Sequence, residues 1–385
     1  MNKLHKLEQY SKTFLEAVVK RREHLGISSK IPYENFNYEK IYKKNCENVI
    51  GYVPIPIGYV GPIKINNNIH HVPIATTEGA LVSSLNRGCK VLFKNGINTI
   101  VEDIGMSRAP LIKVVSIIEA LKIKEWINDN LDLVTNTFNK TSNYGKFKKI
   151  EVKQTGNYLH LRISASTGEA MGMNMLTKGS EKVIDLIRSN FPTIKVLSLS
   201  GNFCTDKKNS SVNWILGRGK NVIAEALIDK DTIKNKLHTN IEDLIELNVN
   251  KNLIGSNIAG TIGGLNSQAA NVVAGIFIAT GQDTGQIGTS SSCILNLEKF
   301  NENVLRATLT MPQLEVGVIG GGTHLSPQKE LLDYMNLNTS SEYKIGDKSK
   351  KLAEIIASSV LAGEISLLSA MCSSDLVNAH MKLNR

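Results

Sequence analysis

Apolar and polar positions change period in a readable order along the chain. Residues 1 to about 45 are charged and carry helical spacing in F14-L-E-A-V-V-K-R-R-E-H-L25. In I50-G-Y-V-P-I-P-I-G-Y-V-G-P-I63 the prolines remove backbone donors and keep the chain extended, which predicts an edge strand or an arm laid on another surface. L111-I-K-V-V-S-I117 reads as a strand and I118-E-A-L-K-I-K-E-W-I127 as a helix. F147-K-K-I-E-V-K153 and Y158-L-H-L-R-I-S164 alternate like a strand pair around the turn Q154-T-G-N157. S180-E-K-V-I-D-L-I-R-S-N-F191 is helical, and K195-V-L-S-L199 is a strand. The order β-α-β-β-α-β is that of the ferredoxin-like split βαβ unit. The expectation is an α+β fold with a small domain, residues 110–198, inserted into a large one made of 46–109 and 199–385, behind an N-terminal helical segment, 1–45. In the large part, A269-A-N-V-V-A-G-I-F-I-A-T280 and K350 to M371 have the pattern of apolar helices.

Composition narrows the class. A chain of 385 residues, 42% of them hydrophobic, can bury a large core. The net charge of +10 invites a nucleic-acid reading, but aromatic residues make up only 5% and the lysines are dispersed, so no stacking platform forms. The charge suits small polyanions. Five cysteines without a C-x-x-C pair argue against a disulfide framework or structural zinc and place the chain in a reducing cytoplasm. The start of the chain lacks the apolar core of a signal peptide, and no apolar run is expected to span a bilayer.

Several polar residues could carry chemistry. Glu78, in A75-T-T-E-G-A-L81, would have its pKa raised if held against apolar walls; the plainer alternative is a carboxylate at a helix start. Asp283, between glycines, is either reactive or a cap. His380 lies in a tail able to close as a lid. S200-G-N-F-C-T-D-K-K-N209 places Asp206, Lys207 and Lys208 after a strand. E169-A-M-G-M-N174 and I319-G-G-G-T323 offer backbone N–H groups near glycine for an anion, without being a Rossmann or Walker motif, and no ordered set of metal ligands is present.

Taken together, these stretches resemble 3-hydroxy-3-methylglutaryl-CoA reductases of the eukaryotic and archaeal class. The resemblance rests on E47-N-V-I-G-Y52, P73-I-A-T-T-E-G-A-L81, N86-R-G-C89, D103-I-G-M-S-R108, A170-M-G-M-N-M175, S200-G-N-F-C-T-D-K-K208, N250-K-N-L253, G281-Q-D283, G320-G-G-T323 and L376-V-N-A-H-M381, collinear from residue 47 onward. It implies Lys207 as catalytic lysine, Glu78 and Asp283 as buried acids that titrate as one group, and His380 as the proton donor to departing CoA. Asp206 and Lys208 would meet the hydroxyl and carboxylate of the substrate. Arg108, Ser200, Lys251 and Asn271 would add substrate contacts, and Asn86 and Arg87 contacts to CoA. Ser142, Asn143, Glu169, Met171, Gly172, Met173, Asn174 and Gly321 would bind the dinucleotide.

The implied reaction is reduction of 3-hydroxy-3-methylglutaryl-CoA to mevalonate with two NADPH, as in isoprenoid synthesis, by a homo-oligomer whose active sites are completed between subunits. No metal, nucleic acid or membrane partner is expected. Asn143 stands where an arginine would meet the 2′-phosphate of NADPH, which leaves NADH and the oxidative direction as the alternative. A basic CoA- or nucleic-acid-binding protein without catalysis is a further alternative, opposed by the joint presence of Glu78, Lys207, Asp283 and His380. Glu169 replaces aspartate and Ala80 a common cysteine. The membrane region of anchored members, and the serine phosphorylated after the final Asn-Arg, are expected to be missing.

Overall fold

A computed structural model describes residues 4–337 and 344–373. Helix α1 (Phe14–Leu25) begins where the Thr13 side chain accepts from Glu16 N–H and ends at Gly26 in the left-handed region. Its buried Arg21 and Arg22 donate to the carbonyls of Val49 and Ile50, which ties the E47-N-V-I-G51 stretch down. The next residues, 51–56, have no regular structure, and Val53 is 82% exposed. The arm is therefore shorter than predicted. Strand β1 (Ile57–Ile65) then pairs antiparallel with β2 (Asn68–Ala75) as a separate two-stranded sheet packed on helix α2 (Leu81–Leu92).

The remaining strands are β3 (Asn98–Arg108), β4 (Leu111–Lys113), β5 (Lys146–Thr155), β6 (Tyr158–Ser166), β7 (Lys195–Ser198), β8 (Gly219–Asp229), β9 (Gly264–Leu265), β10 (Cys293–Asn301) and β11 (Val304–Leu314). They form one nine-stranded sheet in the order β7-β4-β6-β3-β8-β11-β10-β9, with β5 paired to β6. Strand β3 is the join: Asn98 to Gly105 pair with β8 and Met106 to Arg108 with β6.

Within this sheet β7-β4-β6-β5 is wholly antiparallel and carries helices α3 (Ile117–Asp129), α4 (Leu131–Asn139) and α5 (Met173–Asn190) over a core of its own, including Ile112, Ile123, Phe138, Leu161 and Ile184. Strand β4 stops earlier than the apolar run predicts because the Ser116 side chain accepts from Glu119 N–H and caps α3, while Glu119 accepts from Val115 N–H just before the cap. A second helix, α4, follows directly.

The larger core gathers β8, β10 and β11 with α2, helix α6 (Ala269–Thr280) and helix α7 (Asp347–Cys372). Helix α7 is long and apolar enough to cross a membrane, contrary to expectation, but 83% of its most apolar stretch is buried inside the protein. It approaches α2 so closely that a Cβ on Gly88 would lie 2.0 Å from the Ala362 carbonyl oxygen. No other residue fits there.

Candidate active site

Lys207 and Asp283 form the centre of the site: Nζ lies 2.9 Å from Oδ2, with the lysine half exposed. The contact raises the lysine pKa above its ordinary value, against the effect of burial. Asp283 also accepts from Gly285 N–H at 3.0 Å, so the capping role and the pairing role coexist in one carboxylate. The loop that presents Lys207 is strained: Asn202, Thr205 and Lys207 all have positive φ, at 63°, 46° and 59°. Side chains with a Cβ avoid that region, and β-branched Thr most of all, so surrounding contacts must hold the loop.

Those contacts converge on Asp206. Its Oδ1 accepts from Arg218 Nη2 at 3.1 Å and Gln286 Nε2 at 2.7 Å, while Oδ2 lies 3.9 Å from Arg108 Nη1. Burial raises the Asp206 pKa, and Arg218, Gln286 and Arg108 together outweigh it, so the carboxyl lies below the usual range. Lys208 is exposed and reaches the Asp206 carbonyl at 3.3 Å. Ser200 touches the Cys204 sulfur at 3.5 Å, and Arg108 donates to Thr177 at 3.1 Å.

Beside this cluster is a pocket of about 320 Å³ lined by residues 170–175, by Gly281, Gln282 and Asp283, and by the 317–323 loop. It thus joins Met171, Gly172, Met173, Asn174 and Gly321 to the lysine's partner. Gly172, at φ 87°, starts the 18-residue helix α5 without a side-chain cap, which leaves the first-turn N–H groups uncapped by a side chain in residues that line the pocket. A Cβ on Gly317 would meet Met171 N at 2.4 Å, so the two loops touch only because that residue is glycine. Glu169 sits at the edge in a different role: its carboxylate accepts from Gly346, Lys348 and Ser349 N–H and caps α7. Ser142 accepts from Tyr144 and Gly145 N–H, and Asn143 is exposed.

Glu78 does not join this cluster within one chain. It is exposed rather than held against apolar walls, and Oε1 accepts from Asn271 Nδ2 at 3.1 Å. Asn271 is in the first turn of α6, and Asp283 lies three residues beyond its last residue, Thr280. At 1.5 Å rise per residue these ends are roughly 15 Å apart. The single titrating group expected from Glu78 and Asp283 is therefore not formed by one chain. Lys251 belongs to the Glu78 end, 3.5 Å from Asn252, which bonds Ser267 just before α6. Asn86 is engaged with Gly61 N–H at 2.9 Å. Arg87 donates to Ser366 and lines a cavity of about 440 Å³ with Lys90 and Lys236. His380 lies outside the described residues.

Sequence reading missed Arg218, Gln286 and Glu315, all fully buried. Arg218 is hydrogen-bonded to Glu315, and burial pushes the Glu315 carboxyl up to about 7, while Arg218, facing Asp206 as well, is held cationic. The available signal was an acid inside an apolar run, L314-E-V316. Among the described residues no cluster of three metal-ligating side chains occurs.

Known proteins resemble this chain over almost its whole length. The hydroxymethylglutaryl-coenzyme A reductase family matches residues 13–385. A 3-hydroxy-3-methylglutaryl-coenzyme A reductase of Drosophila melanogaster is 45% identical across 99% of this chain, and one of Dictyostelium discoideum 46% identical across 94%. The chain spans 43% of the first relative's length and 69% of the second's. Among solved structures, the class II 3-hydroxy-3-methylglutaryl-CoA reductase of Streptococcus pneumoniae, described as bound to NADPH in open conformations, superposes with a TM-score of 0.69 at 20% identity, covering 95% of this chain and 98% of the other. That similarity carries the fold alone, and the family assignment rests on the sequence matches. By those matches, with the Lys207–Asp283 pair set beside a glycine-lined pocket, the chain belongs to the hydroxymethylglutaryl-coenzyme A reductase family.

Proposed function

We propose that the chain reduces 3-hydroxy-3-methylglutaryl-CoA to mevalonate and CoA with two NADPH, a reading supported by relatives that carry the name 3-hydroxy-3-methylglutaryl-coenzyme A reductase. The observation that carries this is the Lys207–Asp283 pair, 2.9 Å apart, at the wall of the pocket formed by the 170–175 and 317–323 loops. The glycine-lined contact at Gly317 and the open start of α5 fit a dinucleotide, with Met171, Gly172, Met173, Asn174 and Gly321 holding it. The bound dinucleotide supplies hydride.

The chain's own residues do the rest. Each reduction step places negative charge on a carbonyl oxygen, and Lys207 is the fixed cation for it, held in position by Asp283. One such donor in a dry site is typically worth ~3–4 kcal/mol. Asp206 accepts from the substrate hydroxyl, Arg108 and Ser200 add contacts, and Lys208 meets the distal carboxylate. Glu78, steadied by Asn271, delivers a proton to the second oxyanion, and His380 protonates the departing CoA thiolate. The basic cavity of Arg87, Lys90 and Lys236 suits the CoA phosphates.

The active species in this reading is a homo-oligomer, because Glu78 and Lys207 lie at opposite ends of α6 in one chain and a second copy brings them together. Residues 110–198 form the inserted dinucleotide-binding domain, supported by their separate apolar core, and 46–109 with 199–385 the large domain. Five unpaired cysteines suit the cytoplasm. Loss of NADPH absorbance on adding 3-hydroxy-3-methylglutaryl-CoA tests the function, and no loss with the folded chain defeats it. The exposed, uncharged Asn143 favours a second reading, NAD-dependent oxidation of mevalonate, which a higher kcat/KM for NADH than for NADPH would support.

A further inference from the structure

Asp206 is gripped unevenly. Oδ1 takes two hydrogen bonds from fully buried donors, Arg218 at 3.1 Å and Gln286 at 2.7 Å. Among the described residues Oδ2 has only Arg108 at 3.9 Å, beyond hydrogen-bond length, on a side chain that is 23% exposed. Both donors are themselves fixed. Arg218 Nε donates to Ser107 Oγ at 3.1 Å and Nη1 to Glu315, and Gln286 Oε1 accepts from Thr289 Oγ1 at 3.2 Å. Gln286 also belongs to the short helix Thr284–Gln286 that follows Asp283. The strained loop and the Asp283 turn are consequently tied twice, by Gln286 to Asp206 and by Lys207 to Asp283.

We infer that Arg218 and Gln286 clamp one oxygen of Asp206 and thereby present the other to the tertiary hydroxyl of the substrate, which makes them positioning residues that set specificity for a 3-hydroxy acyl group. The inference rests on the substrate reading above. The physical ground is that a carboxylate already satisfied on its inner oxygen has a fixed outer lone pair. A ligand without the hydroxyl leaves that charged acceptor unpaired on closing the site, so the site rejects it. Glu315 serves to balance Arg218 from behind, so that the arginine does not draw both Asp206 oxygens inward.

The test compares binding of 3-hydroxy-3-methylglutaryl-CoA and 3-methylglutaryl-CoA to the full chain by calorimetry, without a reductant. The wild type should prefer the hydroxylated thioester by at least about tenfold, the worth of one hydrogen bond to a charged acceptor. Gln286→Met, close in volume, should bring the two dissociation constants to within about twofold by weakening the hydroxylated ligand alone. Arg218→Lys, which keeps a cation for Glu315 but loses the guanidinium fork, should do the same and serves if Gln286→Met does not fold. Equal weakening of both ligands, or an unchanged preference in either variant, overturns the clamp. Turnover by the wild type separates the failures: an active enzyme with unchanged preference sinks only the clamp, whereas a folded wild type that does not reduce 3-hydroxy-3-methylglutaryl-CoA sinks the functional reading and the clamp with it.

Discussion

Lys207 holds a backbone angle that lysine rarely adopts, and it is half exposed, two facts that set its energetics apart from those of a core residue. An ion pair so open to water is worth about 0–1 kcal/mol to stability. Lys207→Ala should therefore melt close to the wild type while kcat falls by roughly 10²–10³-fold, the cost of one lost oxyanion donor. A folded variant with near-normal turnover would remove Lys207 from the chemistry. Glu315 is the opposite case, being fully buried with its carboxyl pushed up to about 7. Between its unfolded value near ~4.3 and that folded value, the native chain binds the proton more tightly, so stability falls as pH rises through the window. The melting temperature of the wild type minus that of Glu315→Gln should accordingly shrink from pH 5 to pH 7. A constant difference would mean that Glu315 stays ionised throughout. The charges of Asp206, Lys207 and Lys208 were visible in the sequence after a strand, and only the family resemblance pointed to Lys207 among them; Glu315 drew no notice, because its partner Arg218 lies 97 residues away.

At the level of elements, two helices begin under carboxylates supplied from distant segments. Glu364, buried in α7, accepts from Ser267 and Gln268 N–H, each at 2.7 Å, immediately before α6. Glu169 does the same for α7. Orphan N–H groups at a helix start carry partial positive charge, so both acids satisfy donors and complement the helix dipole. This is why Glu169, read from sequence among the dinucleotide contacts, has its carboxylate engaged with α7 while its backbone carbonyl accepts from Val318 N–H at 2.7 Å. That backbone contact closes the pocket, and Gly317 permits it. Gly317→Ala should push the 169–171 and 317–323 segments apart, since the new methyl would meet backbone atoms that cannot rotate away. The expected result is a rise of tenfold or more in the dissociation constant for NADPH with a smaller change for 3-hydroxy-3-methylglutaryl-CoA. Unchanged NADPH binding would place the dinucleotide elsewhere.

For the whole molecule, α6 separates the Glu78–Asn271 end from the Lys207–Asp283 end, and the segment around the 82%-exposed Val53 leaves apolar surface open in one chain. Both features point to a second copy. Light scattering should give a species of at least twice 42.2 kDa. More decisively, Glu78→Gln and Lys207→Ala chains, each strongly impaired alone, should recover activity when coexpressed, because a mixed pair contains one site with both residues intact. Recovery no greater than either variant alone would show that each chain works by itself.

The sequence by itself determined the periodicities that became α5, α6, α7 and the β5–β6 hairpin, because burial on one face imposes a repeat that short windows reveal. It also showed Asp206, Lys207 and Asp283 as candidates, through charges and glycines that are locally visible, while their proposed roles came from the family resemblance. Tertiary structure alone decided what each of these groups touches. The Arg218–Glu315 pair, the Gln286 tie to Asp206, the caps from Glu169 and Glu364 and the exposure of Glu78 all depend on contacts 80 to 193 residues apart. Local pattern carries no record of such contacts, because a buried polar group is admitted by the partner that satisfies it and not by its neighbours in the chain.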